Sequence, residues 1–311
     1  MNYRCNAACR HCLYACSPGR RPGYVSKEKI REICGLLVKG HIGSVHIGGG
    51  EPFLDFPGLI TVIRELARSG IQLDYIETNA FWAQAHDPVV SEKLEILKKE
   101  GASALCISVD PFHAEHIPYD YPLNLARSCA KCGMDYFLWK GEFLEPLSRL
   151  EHNKTHSRSE LEKELSPDYI IKTARAYGIH LGGRAVNIEE EYGPLHEVSE
   201  LLDDEPCGDL LSTGHFHVDL DGCFIPPGCT GIRLPLEDLI EGMETGRYRV
   251  FDALLEGGIS ALYNLARQFQ FRENQKYPSK CNLCFHIRKY LSDKGFEELD
   301  EDFYTEALKY Y

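Results

Sequence analysis

The sequence predicts an α/β fold with parallel strands, followed by a smaller cysteine-rich C-terminal domain. Three observations predict it. From residue 26 to about 186, helical apolar spacing alternates with short apolar runs at the interval of βα units. An acidic stretch at 187–206, "NIEEEYGPLHEVSELLDDEP", then interrupts the pattern as a connector. Beyond it the periodicity weakens, and cysteines return at 207, 223, 229, 281 and 284.

Ser26 caps a helix whose Ile30, Ile33, Cys34 and Leu37 share one face. The strand "SVHI" (44–47) follows, then a helix carrying Leu59, Ile60, Ile63 and Leu66. "LDYIET" (73–78) is the next strand, "VVSEKLEILKKEG" (89–101) a helix and "ALCISVD" (104–110) a strand. Helix 123–133 leads to the strand "DYFLWK" (135–140). A polar stretch at 151–165 precedes the helix "PDYIIKTARAYG" and a last strand, "IHLGGRAV" (179–186). In parallel sheets of this kind, chemistry sits at the C-terminal ends of the strands.

Composition excludes several classes. The net charge of −13 argues against a general nucleic-acid binder, which needs a surplus of Lys and Arg to neutralise phosphates. A local basic patch is left at "CSPGRR" (16–21). No apolar run approaches the roughly 20 residues of a membrane helix, so no membrane partner is expected. The N-terminus lacks a signal-peptide pattern, and a cytoplasmic location is the expectation. Thirteen cysteines in a reducing compartment point to metal binding or redox work rather than disulfides.

The N-terminal stretch "YRCNAACRHCLYAC" holds Cys5, Cys9 and Cys12 in a C-x3-C-x2-C pattern. Three thiolates on one short loop suit three corners of a cubane iron–sulfur cluster and leave one iron open to a small molecule. A structural zinc site favours two C-x2-C knuckles, which the three-residue gap fits poorly.

"CNAACRHC" resembles the signature loop of the radical S-adenosylmethionine (SAM) superfamily, in which the open iron chelates SAM. "GGGEP" (48–52), directly after strand 44–47, resembles the glycine-rich segment that binds the methionine end of SAM. The resemblance gives Gly49, Gly50, Glu51 and Pro52 to that ligand, with glycine allowing close backbone approach and Glu51 supplying a counter-charge. "ETNA" and "SVD" end the next two strands where the family places polar residues, which implies Asn79, Ser108 and Asp110 near the ribose and methionine. "GGRA" ends the last strand, and Arg184 is expected to pair with the SAM carboxylate. The implied architecture is a partial (β/α)6 TIM-like barrel over residues 1–190.

Two features depart from the family pattern. Only four residues precede Cys5, so the first barrel strand is nearly missing, through a lost upstream start or a reduced barrel edge. His11 stands where the family prefers an aromatic residue, and it is expected to pack against adenine. Cys16 is unnecessary for a cluster whose fourth site SAM takes, and is expected to line the loop.

Cys207, "DGCFIPPGC" (221–229) and "KCNLC" (280–284) resemble the SPASM or twitch auxiliary-cluster domains that follow some radical SAM barrels. Gly222 would be the hairpin's turn glycine. Cys207, Cys223, Cys229, Cys281 and Cys284 suffice for one auxiliary 4Fe-4S cluster with one thiol spare; four-thiolate zinc is the alternative. This domain spans 200–291, and a C-terminal helical tail spans 292–311.

Other residues receive plainer readings. Cys34 and Cys106 are core residues, and Cys129 and Cys132 belong to helix packing. "FHAEH" (112–116) reads as a surface loop, with substrate contact as the alternative, and His215 and His217 flank the hairpin.

The resemblance implies that a donor such as ferredoxin or flavodoxin reduces the cluster, and that SAM is cleaved to methionine and a 5′-deoxyadenosyl radical that abstracts hydrogen from substrate. A peptide or protein side chain is the favoured substrate, modified oxidatively, although no clear domain for binding a leader peptide is visible. A small-metabolite dehydrogenase or epimerase is the first alternative, and a non-enzymatic zinc scaffold the alternative of another class.

Overall fold

Ser26 accepts from the Lys29 amide and starts α1 (Lys27–Lys39), whose Ile30, Ile33, Cys34 and Leu37 are all buried. The computed structural model describes residues 1–84, 88–178, 182–212, 214–244, 246–273 and 275–309. These residues form two compact units, one of Met1–Cys9 and Cys16–Gly178, the other of Arg10–Ala15 and Ile179–Tyr311.

In the first unit α1 is followed by β1 (Ser44–Ile47), α2 (Phe56–Arg68), β2 (Gln72–Thr78), α3 (Pro88–Glu100), β3 (Ala104–Ser108), α4 (Pro111–Ala114), α5 (Asp120–Cys132) and β4 (Asp135–Trp139). The strands pair in chain order, β1-β2-β3-β4, all parallel, with Ile76 opposite Leu105 and Cys106 opposite Phe137. This is the α/β architecture that the alternating pattern dictates, and it accords with part of a TIM-like barrel. Leu59, Ile63, Leu94, Leu97, Leu105 and Leu125 build its core, with less than 3% of each exposed. Cys34, Cys106 and Cys129 are buried there as packing residues, as expected.

The sequence reading misses two helical features here. The polar stretch 151–165 contains a helix, Arg158–Glu164, fixed by a capping box between Ser157 and Glu160. "FHAEH" is not a surface loop: α4 carries Phe112 and Ala114 into the core, with Asp110 as its N-cap. The unit closes with a helix at Tyr169–Tyr177.

In the second unit, the expected strand at 179–186 is not formed by its described part. Residues 182–184 are not in a strand, Arg184 is a helix N-cap, and a helix runs Ala185–Tyr192; residues 179–181 lie outside the described residues. The acidic connector is likewise helical at Ala185–Tyr192 and Val198–Leu201, with Val186, Asn187 and Ile188 buried. A small antiparallel sheet follows, of β5 (His217–Val218), β6 (Cys223–Ile225) and β7 (Leu234–Pro235), with Gly222 in the first turn as expected. Helices at Arg249–Gln268 (kinked at Gly257 and Gly258), Lys280–Ser292 and Glu301–Lys309 complete the unit. Among the described residues, no helix is long and apolar enough to cross a membrane.

Candidate active site and thiol cluster

In the first unit, residues 2–5 and the GGGEP turn are joined through their backbones. The Gly50 amide donates to the Asn2 carbonyl at 2.7 Å and the Glu51 amide to the Arg4 carbonyl at 3.1 Å. A Cβ on Gly50 would stand 2.0 Å from the Arg4 carbonyl oxygen, so glycine is required by the approach of the Cys5 segment itself. Sequence reasoning gave that glycine to a ligand alone, because a sequence shows no partner for a bare backbone.

Glu51 is fully buried. Its carboxylate accepts from the Phe53 amide at 3.1 Å, the Thr78 hydroxyl at 2.9 Å and the Asn79 amide at 2.7 Å. Burial raises its pKa to about 7 despite these donors. Thr78 in turn accepts from the Trp82 indole N–H. Asn79, at the end of β2, donates through Nδ2 to Cys5 Sγ at 3.6 Å and to Asn6 Oδ1 at 3.0 Å. The Ala7 amide also donates to Cys5 Sγ. Glu51, Asn79 and Cys5, named separately from the sequence, are therefore one connected group. Pro52 begins the short helical turn that follows Glu51.

At the end of β3, Ser108 is half-buried and Asp110 almost fully buried. The Asp110 carboxylate is bonded to His113 Nδ1 at 2.5 Å and accepts from the Tyr177 hydroxyl at 2.9 Å. Beyond Asp110, His113 also faces Cys9; burial opposes its charge, and Asp110 and Cys9 together hold its pKa well above the usual imidazole range. Burial and Asp110 push the Tyr177 phenol far up. The sequence reading did not find His113 beside Cys9 or Tyr177 beside Asp110. The only available signal was a histidine three residues after a strand-end aspartate.

In the second unit, the Arg184 amide donates to the Cys12 carbonyl at 3.0 Å, so the GGRA turn meets the Cys12 segment. His11 and Cys12 are half-buried and Arg184 is buried.

The same unit sorts the five C-terminal cysteines. Cys207, Cys229, Cys281 and Cys284 lie close enough to feel one another's charge: burial pushes the Cys207 thiol to about 11 and the Cys229 thiol to about 12, and the other thiols of the set push the same way. Cys223 faces different groups, Asp219, Arg233 and Asp221. The Cys207 amide donates a hydrogen bond to the Leu254 carbonyl at 2.9 Å, which holds the residue in place. Its approach relies on Gly258, which has φ 56° and where a Cβ would lie 2.0 Å from the Glu205 carbonyl oxygen. Cys281 and Cys284 occupy the first turns of the Lys280–Ser292 helix, capped by Ser279. His215 and His217 pack against each other beside β6.

Residues 1–138 match the model of the Radical SAM superfamily. The putative peptide biosynthesis protein YydG of Bacillus subtilis (strain 168) is 31% identical over 132 residues, which is 42% of this chain and 40% of that protein. A GTP 3′,8-cyclase of Listeria monocytogenes serovar 1/2a is 32% identical over 117 residues, 36% of this chain and 32% of the relative. The matched stretch thus spans well under half of either relative. A crystal structure of Streptococcus suis SuiB bound to S-adenosylmethionine aligns over 84% of this chain and 72% of that one, at 14% identity and a TM-score of 0.35. The C-x3-C-x2-C loop and the GGGEP turn bonded to its start both lie within the stretch that matches the radical SAM superfamily, and the cofactors of that superfamily are a 4Fe-4S cluster and S-adenosylmethionine.

Proposed function

We propose that this chain is a radical SAM enzyme that abstracts a hydrogen atom from a peptide or protein side chain and modifies it oxidatively, aided by an auxiliary 4Fe-4S cluster in the second unit. The observation that carries the reading is the connection Glu51–Asn79–Cys5, which ties the GGGEP turn to the cysteine segment. When bound, the reduced 4Fe-4S cluster supplies the electron that splits SAM into methionine and a 5′-deoxyadenosyl radical.

Cys5, Cys9 and Cys12 would hold that cluster, with Gly49, Gly50, Glu51, Pro52, Asn79, Ser108, Asp110, Arg184 and His11 as the proposed SAM-side residues. Asn79 orients the Cys5 sulfur through its Nδ2 bond. Asp110 and Tyr177 hold His113 toward Cys9. Buried Glu51 fixes the turn and keeps the end of β2 in place. The reductant is an external one-electron donor of the ferredoxin or flavodoxin type.

For the auxiliary site, the donor set fits an iron–sulfur cluster. Four thiolates are its preferred ligands, and Cys207, Cys229, Cys281 and Cys284 are the four that act on one another electrostatically. Among the described residues, no three of these sulfurs lie within 4.8 Å of each other. Tetrahedral zinc with ~2.3 Å bonds needs sulfurs about 3.8 Å apart. Cys223, beside Asp219, Arg233 and Asp221, is the spare thiol.

A peptide substrate is supported by the similarity to the B. subtilis peptide biosynthesis protein, and a small-molecule substrate by the similarity to the Listeria GTP cyclase. The test is anaerobic reconstitution followed by iron, sulfide and zinc analysis and by measurement of 5′-deoxyadenosine formed from SAM under dithionite. About eight irons per chain, with SAM cleavage abolished by Cys9→Ala, is the expected result. Stoichiometric zinc without iron or cleavage would replace the proposal with a zinc scaffold.

A further inference from the structure

One charge in the second unit lacks an ordinary partner. Arg288 is 4% exposed. Its Nη1 donates to the Thr230 carbonyl at 2.8 Å and the Tyr304 hydroxyl at 3.0 Å, with a longer contact to the Cys229 carbonyl at 3.5 Å. Its buried Nε has no hydrogen-bond partner among the described residues. These acceptors are neutral, and among the described residues no carboxylate forms an ion pair with this guanidinium. A buried cation left uncompensated is costly, and arginine does not shed its proton to escape that cost.

The anions that can answer it are thiolates. Arg288 lies four residues after Cys284 and seven after Cys281 on one helix, so the three share a stripe. Burial works against its charge, whereas Tyr304 and the Cys284 and Cys229 thiols favour it. Neutral thiols would leave the guanidinium unmatched. Four thiolates on an iron–sulfur core carry a net negative charge, which matches it.

We infer that Arg288 is the built-in counter-charge of the metal–thiolate group held by Cys207, Cys229, Cys281 and Cys284, and that it sets how readily that group accepts an electron. The inference rests on the auxiliary cluster proposed above. A buried positive charge beside a cluster stabilises the reduced, more negative state and raises its potential. Arg288 also ties the Cys229–Thr230 segment to Tyr304. It is a positioning residue, and the experiment must separate its charge from its hydrogen bonds.

The full-length chain carrying Cys5→Ala, Cys9→Ala and Cys12→Ala confines bound iron to the second site. In that background Arg288→Gln removes the charge but keeps a donor for Thr230, Arg288→Lys keeps the charge without the fork, and Tyr304→Phe removes only a hydroxyl. Iron content and midpoint potential are read by redox titration followed by electron paramagnetic resonance. Arg288→Gln is expected to make reduction at least tenfold less favourable, a negative shift of about 59 mV for a one-electron couple. Arg288→Lys and Tyr304→Phe should shift less than about half as far. Loss of iron from Arg288→Gln with retention in Arg288→Lys supports the same conclusion. An unmoved potential in Arg288→Gln, or equal loss of iron from the Gln and Lys variants, overturns it. A parent protein that binds no iron overturns the auxiliary-cluster reading itself, and this is seen before any Arg288 variant is compared.

Discussion

The Tyr177 hydroxyl donates to the Asp110 carboxylate at 2.9 Å across 67 positions of sequence, and that same carboxylate is bonded to His113. Asp110 is 1% exposed. Two partners from its own unit therefore fix a residue that a sequence reading takes only as a polar strand end. Tyr177→Phe should destabilise the protein by about 1 kcal/mol, the net value of one hydrogen bond. Asp110→Ala, which strips both partners, should cost about 3 kcal/mol. Urea denaturation of the two variants checks the order.

Glu51 gives a pH signature. Its folded pKa of about 7 lies above its ordinary value of 4.5, so the folded state binds the proton more tightly than the unfolded chain does. That contribution is full below about pH 4.5 and is lost as pH rises through 7. Between these limits the wild type should lose up to about 3 kcal/mol relative to Glu51→Gln. Unfolding free energies of both proteins at pH 5 and pH 8 measure it; parallel curves would refute it.

Gly50 admits no side chain. With a Cβ placed 2.0 Å from the Arg4 carbonyl oxygen, Gly50→Ala must push residues 2–5 away from the GGGEP turn. A loss of about 3 kcal/mol or more is expected, since backbone rather than a flexible side chain has to move. Gly70→Ala makes no such clash and differs only in its positive φ, so it serves as the control. Thermal unfolding should show a markedly larger drop for Gly50→Ala.

The sorting of the second cysteine set predicts unequal substitutions. Cys223→Ser should leave the iron of the second site in place, because that thiol faces Asp219, Asp221 and Arg233. Cys284→Ser and Cys229→Ser should each remove most of it, about four irons per chain. Colorimetric iron analysis of reconstituted variants decides, and equal losses from Cys223→Ser and Cys284→Ser would contradict the assignment.

Much of the first unit was legible in the sequence because parallel strands carry unbroken apolar runs. Strands 44–47 and 135–140 were read to within a residue, and Cys34 and Cys129 were placed correctly in helix packing. Residues 182–186 mislead because "GGRAV" looks like a strand end, whereas Arg184 starts a helix whose glutamates are ordinary helix formers. The Ser157–Glu160 capping box was present as letters but lay in a stretch too polar to show an apolar face. Motif residues such as Cys5, Glu51 and Asn79 could be named from the sequence, but their hydrogen bonds could not. The pairing of Tyr177 with Asp110 and the separation of Cys223 from the other thiols have no local period and exist only in three dimensions.

Because one carboxylate gathers donors from residues 53, 78 and 79, while its own backbone is sewn to Arg4, three distant stretches of chain behave as a single cassette. Residues 2–5, 48–53 and 77–82 should therefore be exchangeable only as a set. A chimaera that imports one without the others inherits buried donors with nothing to receive them.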